Sequence, residues 1–259
     1  LIHYVLDTYS DYSIQMYNLP FDDYFYSQDK PSGYLEQNED IVILASGSAD
    51  FIYFEKSEIG QAEVQFKPIN SNIKSIIKDN LFYTIGSRSI KDLKMIDNYL
   101  YLSYTKRVSD KCYNISVLRA LLNLEKLHFE EAFSPSECLN DEYRKQSGGR
   151  IFPYKDDKIL LSVGVFSHNL KAQKLDNMFG KIISFEPMND NYEVISMGHR
   201  NPQGLYYDAE SDIIINTEHQ ALGGDEVNLN IDGKVKNYGW PIASKGTHYG
   251  RKVIKDQPL

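Results

Sequence analysis

The sequence contains no run approaching the roughly 18 apolar residues of a membrane-crossing helix, which excludes a helical membrane span. It also lacks a lysine and arginine cluster. Its 28 basic residues stand against 36 acidic ones, a net charge of −8, and the densest basic stretch, Lys245 to Lys255, holds scattered charges only. A nucleic-acid partner, which requires a concentrated basic face, is therefore not expected. Cysteine is scarce. Cys112 and Cys138, 26 residues apart with no His or Cys companions, fit no zinc pattern and leave one disulfide or two free thiols open. The chain starts at Leu1 rather than a methionine, so residues are expected to have been removed or to precede it. A cleaved export signal leaves such a start, and so do other boundaries.

Helical periodicity is scarce as well. What recurs is short segments of β-branched and aromatic residues punctuated by Gly, Asp and Asn, which predict a mostly β chain. Four of them are alike, each an aspartate turn followed by a β run: Asp40 to Leu44, Asp97 to Leu102, Asp157 to Ser162 and Asp212 to Asn216. Their leading aspartates are 57, 60 and 55 residues apart, a period that predicts a propeller or another stacked array. At that period 259 residues make only about four and a half blades, so the ring is expected to be incomplete. An open β-sandwich with coincidental spacing is the alternative. Val117 to Phe133 is compatible with either a helix or a strand and turn. The 20 tyrosines suit strand faces better than a dedicated carbohydrate stack. The sequon at Asn114 decides nothing.

The most informative motifs are Gly198-His-Arg-Asn-Pro-Gln-Gly-Leu205, Glu218-His-Gln-Ala-Leu-Gly-Gly-Asp-Glu226 and Lys236-Asn-Tyr-Gly-Trp-Pro241. Ser147-Gly-Gly-Arg-Ile151, Lys158 to Gly164, Ala172-Gln173 and Gly180 to Ile183 precede them at consistent spacing. In these motifs the chain resembles the soluble glucose/sorbosone dehydrogenases, the aldose sugar dehydrogenases that depend on pyrroloquinoline quinone (PQQ). The match is clear over 148–249 and weaker over 33–104. The resemblance implies an all-β, six-bladed propeller, with residues 1–259 forming a single, partial domain of about four to five blades. It also implies PQQ, calcium and a sugar as partners. An exported location, periplasmic or extracellular, follows from it, and with that location Cys112 and Cys138 are expected to lie close enough to bond.

The chemistry implied is oxidation of a sugar at its anomeric carbon. A histidine removes the hydroxyl proton, hydride passes to the quinone, and calcium and an arginine stabilise the charge that grows there. Carried over by motif, the cofactor-binding pair is Arg200 and Asn201, and the calcium loop offers Asp225 and Glu226. The Gly-Pro whose carbonyls would face calcium is Gln220-Ala221. The departures fall on the proton relay. Gln146 stands at the expected His position, or Lys145 with one residue inserted, and Val165 at the position of its acidic partner; glutamine takes no proton and a lysine needs a strongly depressed pKa to do so, which leaves His168 as the best substitute base. Two functions follow from this pattern. One is a degenerate propeller that has lost or reduced sugar oxidation and serves in binding or interaction, with a protein partner or further blades completing it. The other is an active dehydrogenase with a displaced base.

Overall fold

The computed structural model describes the strands Tyr4–Tyr9 and Tyr12–Met16 and residues 33–84, 89–140, 145–231 and 233–247. β1 (Tyr4–Tyr9) and β2 (Tyr12–Met16) form an antiparallel hairpin. Four larger sheets follow in chain order. The first is β3 (Gly33–Gln37), β4 (Ile41–Ser46), β5 (Phe51–Glu55) and β6 (Lys67–Ser71), and the second begins β7 (Ile90–Ile96), β8 (Tyr99–Ser109) and β9 (Cys112–Leu121). The short β10 (Lys126–Leu127) returns to β6 in parallel, after which β11 (Glu130–Phe133) completes the second sheet beside β9 and β12 (Leu139–Asn140) pairs with the start of β9. The third sheet is β13 (Gly148–Pro153), β14 (Ile159–Val163), β15 (Lys181–Phe185) and β16 (Tyr192–Met197). β17 (Pro202–Asp208), β18 (Ile213–Glu218) and β19 (Glu226–Asn230) form the fourth, and β20 (Lys236–Asn237) joins the edge of β16. The first strands β3, β7, β13 and β17 lie side by side, as the inner strands of consecutive blades do. The described chain is an open propeller segment, not a single sandwich.

The four aspartate-led segments enter β4, β8, β14 and β18, the second strand of each sheet. Asp97, Asp157 and Asp212 have φ of 52°, 59° and 51°. Aspartate tolerates this left-handed conformation, which explains its recurrence at the turn between inner and second strands. At the corresponding turn before β4, Asn38 Oδ1 accepts the backbone N–H groups of Asp40 and Ile41 instead.

Neighbouring sheets pack face to face. Ile43, Phe51, Leu100, Leu102 and Leu118 share one core between the first and second sheets. Val117, Phe133, Leu161, Ile183 and Phe185 share another between the second and third, with the rings of Phe133 and Phe185 4.5 Å apart. Because both faces are covered, β14 and β15 are buried at every position and lose the alternation of a half-exposed strand. The ambiguous stretch from Val117 to Phe133 is strand and turn. In β19 the pattern is reversed: Val227 and Leu229 are exposed while Asn228 and Asn230 are buried. Cys112 and Cys138 form a disulfide with Cα atoms 5.4 Å apart, fastening the start of β9 to the segment that leads into β12. Asn114 is buried and donates to the carbonyls of Pro135 and Glu137, so its sequon is not a surface loop.

Candidate functional site

The candidate residues come from separate blades and meet at one end of the sheets, where inner strands begin and second strands end. Gln146 precedes β13 in a left-handed conformation, φ 60°, and its carbonyl accepts the N–H of Phe166 at 3.1 Å. Gly164 passes so close that a Cβ on it would stand 1.9 Å from that carbonyl oxygen, so this crossing requires glycine. The side-chain Oε1 of Gln146 is buried without a hydrogen-bond partner. Val165 donates its N–H to the carbonyl of Arg200 at 3.0 Å. Its side chain is fully buried with Ala172, Ala221 and Trp240. Two positions that depart from the family pattern, Val165 and Ala221, are thus partners in one apolar cluster.

Arg200 is 2% exposed. Its Nη1 donates to the carbonyls of His219 at 2.8 Å and Gln220 at 2.7 Å, and its guanidinium lies 5.4 Å from the centre of the Trp240 ring. Asn201 Oδ1 accepts from Gly148 N–H at 3.2 Å and Gln203 Nε2 at 2.9 Å, and its carbonyl accepts the N–H of His219 at 3.0 Å. The 218–226 loop is closed by Asp225, whose Oδ1 accepts Gln220 N–H at 2.9 Å while Oδ2 faces His219 Nδ1 at 3.2 Å. The Gln220 N–H and the His219 side chain hold the Asp225 carboxyl below the usual range.

A second, buried network underlies this loop. His199 Nδ1 lies 3.1 Å from Glu218 Oε1, its Nε2 is 2.8 Å from Ser196 Oγ, and Glu218 also accepts Asn228 Nδ2 at 2.9 Å and Arg200 N–H at 2.6 Å. The Ser-His-Glu order matches a nucleophilic triad, but all three residues are buried, so the arrangement joins β16 to β18 and offers no reactive hydroxyl. Burial opposes the charge on Glu218, yet His199 and the donors around it outweigh that and hold its carboxyl low. Glu226 beside it is pushed up to about 7, first by burial and then by the charge of Glu218. The sequence motifs did not single out this network. The signal for it is the period-2 pattern of β18 and the two residues after it, in which Glu218 and Gln220 are buried and Thr217 and His219 exposed.

Not every candidate joins the cluster. His168 is exposed beyond it, with Nε2 2.7 Å from the carbonyl of Asn140, so that nitrogen carries the proton in the donor role. Asp225 and Glu226 line an open pocket of about 420 Å³ together with Gln203, Thr217, Glu218, His219 and Val227. Arg200, Asn201, Gln220 and Ala221 do not line it.

The family model for glucose/sorbosone dehydrogenases matches residues 91–258. The chain belongs to that family. It is 35% identical over 115 residues to the aldose sugar dehydrogenase YliI of Escherichia coli, an alignment covering 39% of this chain and 30% of that protein. It is 34% identical over 135 residues to an uncharacterized protein of Synechocystis, covering 43% and 31%. The chain therefore spans about a third of the length of these curated relatives. Among solved structures, the apo-form of the soluble aldose sugar dehydrogenase from Escherichia coli matches with TM-score 0.60 at 22% identity, covering 84% of this chain and 65% of that one. The PQQ-bound aldose sugar dehydrogenase of Streptomyces coelicolor matches with TM-score 0.58 at 16% identity, covering 88% and 71%. A glucose dehydrogenase structure matches with TM-score 0.65 at 21% identity, covering 87% and 68%. The last three likenesses establish the propeller fold.

Proposed function

We propose that this chain is a glucose/sorbosone dehydrogenase-type propeller that retains the family's site scaffold without its sugar-oxidising step, and that it serves in binding or interaction. The observation that carries this reading is the fully buried Val165, packed on Ala172, Ala221 and Trp240 where the acidic partner of the base is expected. A carboxylate there would be desolvated and unpaired. At the position of the base itself, the amide of Gln146 has no proton-accepting nitrogen with a useful pKa. His168 does not restore the relay, because it lies exposed on Asn140.

The relative bound to PQQ makes that quinone the natural ligand to test. The residues carried over do not fit it well. Arg200 is buried with Nη1 on two carbonyls, and the side-chain oxygen of Asn201 accepts from Gly148 and Gln203, so these atoms are already engaged within the chain. No reaction step is derived through the quinone. The disulfide and the family membership support a periplasmic or extracellular location. The test is to supply the full-length protein with calcium and PQQ and follow quinone absorbance as an aldose is added. No aldose-dependent change is expected. Robust aldose oxidation abolished by His168→Ala would establish the displaced base and overturn this reading.

A further inference from the structure

We infer that the guanidinium of Arg200 is the resident cation of the 218–226 loop, so that the loop neither requires nor accepts calcium at the carbonyls of His219 and Gln220. The inference starts from where the oxygens of this loop point. A calcium ion collects about six to eight oxygen ligands, several of them anionic in most protein sites. Here the carbonyl of Gln220 receives Arg200 Nη1 at 2.7 Å, and that of His219 receives the same nitrogen at 2.8 Å. The carbonyl of Leu222 accepts the N–H of Thr247 at 3.1 Å. Both oxygens of Asp225 are engaged within the loop, by Gln220 N–H and His219 Nδ1. Both oxygens of Glu218 are engaged as well, by His199, Asn228 and the N–H of Arg200.

A divalent ion bound to the Gln220 carbonyl would share one oxygen with a guanidinium in a poorly solvated place, where like charges repel strongly. The guanidinium in turn cannot swing away without losing two backbone carbonyls and the face of Trp240. The amide of Gln220 is the loop's buried oxygen without a partner, in a residue 1% exposed. It is one neutral ligand, on a side chain that replaces the family's glycine. Beside it, Ala221 joins Val165 and Trp240 in the apolar cluster, so the wall of the would-be ion site is hydrocarbon. A fixed organic cation thus occupies the carbonyls of His219 and Gln220, and the loop's geometry is metal-independent.

The experiment uses chelator-treated protein titrated with terbium, which occupies calcium sites and is excited by a nearby indole. Trp240 is the chain's single tryptophan. The titration is run on the Glu226→Gln variant, which removes the loop's available carboxylate and leaves the carbonyls as they are. The expected result is no saturable, calcium-competed terbium emission, and a wild-type melting temperature unchanged by calcium or chelator. Saturable emission displaced by calcium in that variant, or destabilisation of the wild type on chelation, overturns the inference. In Arg200→Gln the carbonyls are freed, and millimolar guanidinium is expected to raise its melting temperature while leaving the wild type unaffected. A folded Arg200→Gln protein insensitive to guanidinium also overturns it. If that variant does not fold, the terbium titration decides. Neither measurement involves quinone or sugar, so this inference stands or fails separately from the loss of sugar oxidation.

Discussion

At the scale of single residues, the decisive contrast is between Val165 and Arg200. Both positions were legible in the sequence, because the motifs around them fix their register. Their surroundings were not, since the groups that bury Val165 come from loops at Ala172, Ala221 and Trp240, and the carbonyls that hold Arg200 lie 19 and 20 residues onward. Val165→Asp is expected to lower stability by about 3 kcal/mol or more, read from the denaturant midpoint, because it puts an unpaired carboxyl among hydrocarbon. Val165→Ile, which keeps the cluster apolar but adds a methylene to a fully buried site, should cost about 1–3 kcal/mol. The double variant Gln146→His with Val165→Asp is accordingly expected to lose stability before it gains a rate. An intact fold with roughly 10²-fold faster aldose turnover would show that the proton relay is the only part missing.

At the scale of elements, strand alternation determines which carboxylates meet. β18 places Glu218 inward, and β19 enters the sheet at Glu226 directly opposite it. Glu218 is held low and Glu226 is raised to about 7, first by burial and then by the charge of Glu218. A carboxyl whose folded pKa is raised contributes stability that is fully present below its unfolded value, near 4.5, and that is lost as pH rises through about 7. Melting temperature is therefore expected to fall as pH rises from about 4.5 to about 7, the interval set by those pKa values. Glu226→Gln should flatten the fall by holding an uncharged amide at that place. An unchanged slope in the variant would remove Glu226 as its source. The crossing of Gly164 over Gln146 is the other element-scale constraint, and Gly164→Ala is expected to displace the loop before β13 because its Cβ would meet the Gln146 carbonyl.

At the scale of the whole molecule, the disulfide is the one covalent link between distant segments. Reduction, or Cys112→Ser with Cys138→Ser, should cost about 3 kcal/mol by freeing a closed loop of 26 residues in the unfolded chain. Equal melting curves with and without reductant would show that the unfolded chain is not restrained by it. The sequence by itself determined the β class, the blade period and the family, because those rest on local alternation, on aspartates suited to left-handed turns and on contiguous motifs. It also named Gln146 and Val165, the positions on which the proposed loss of the proton relay rests. Only the tertiary structure decided what the site residues became: Val165 a core residue, Arg200 a clamp on backbone carbonyls, Glu218 part of a buried network and Glu226 the carboxyl across from it. The physical reason is that a side chain's charge state and free hydrogen-bonding groups are set by what surrounds it. In a propeller those surroundings come from neighbouring blades, dozens of residues away along the chain.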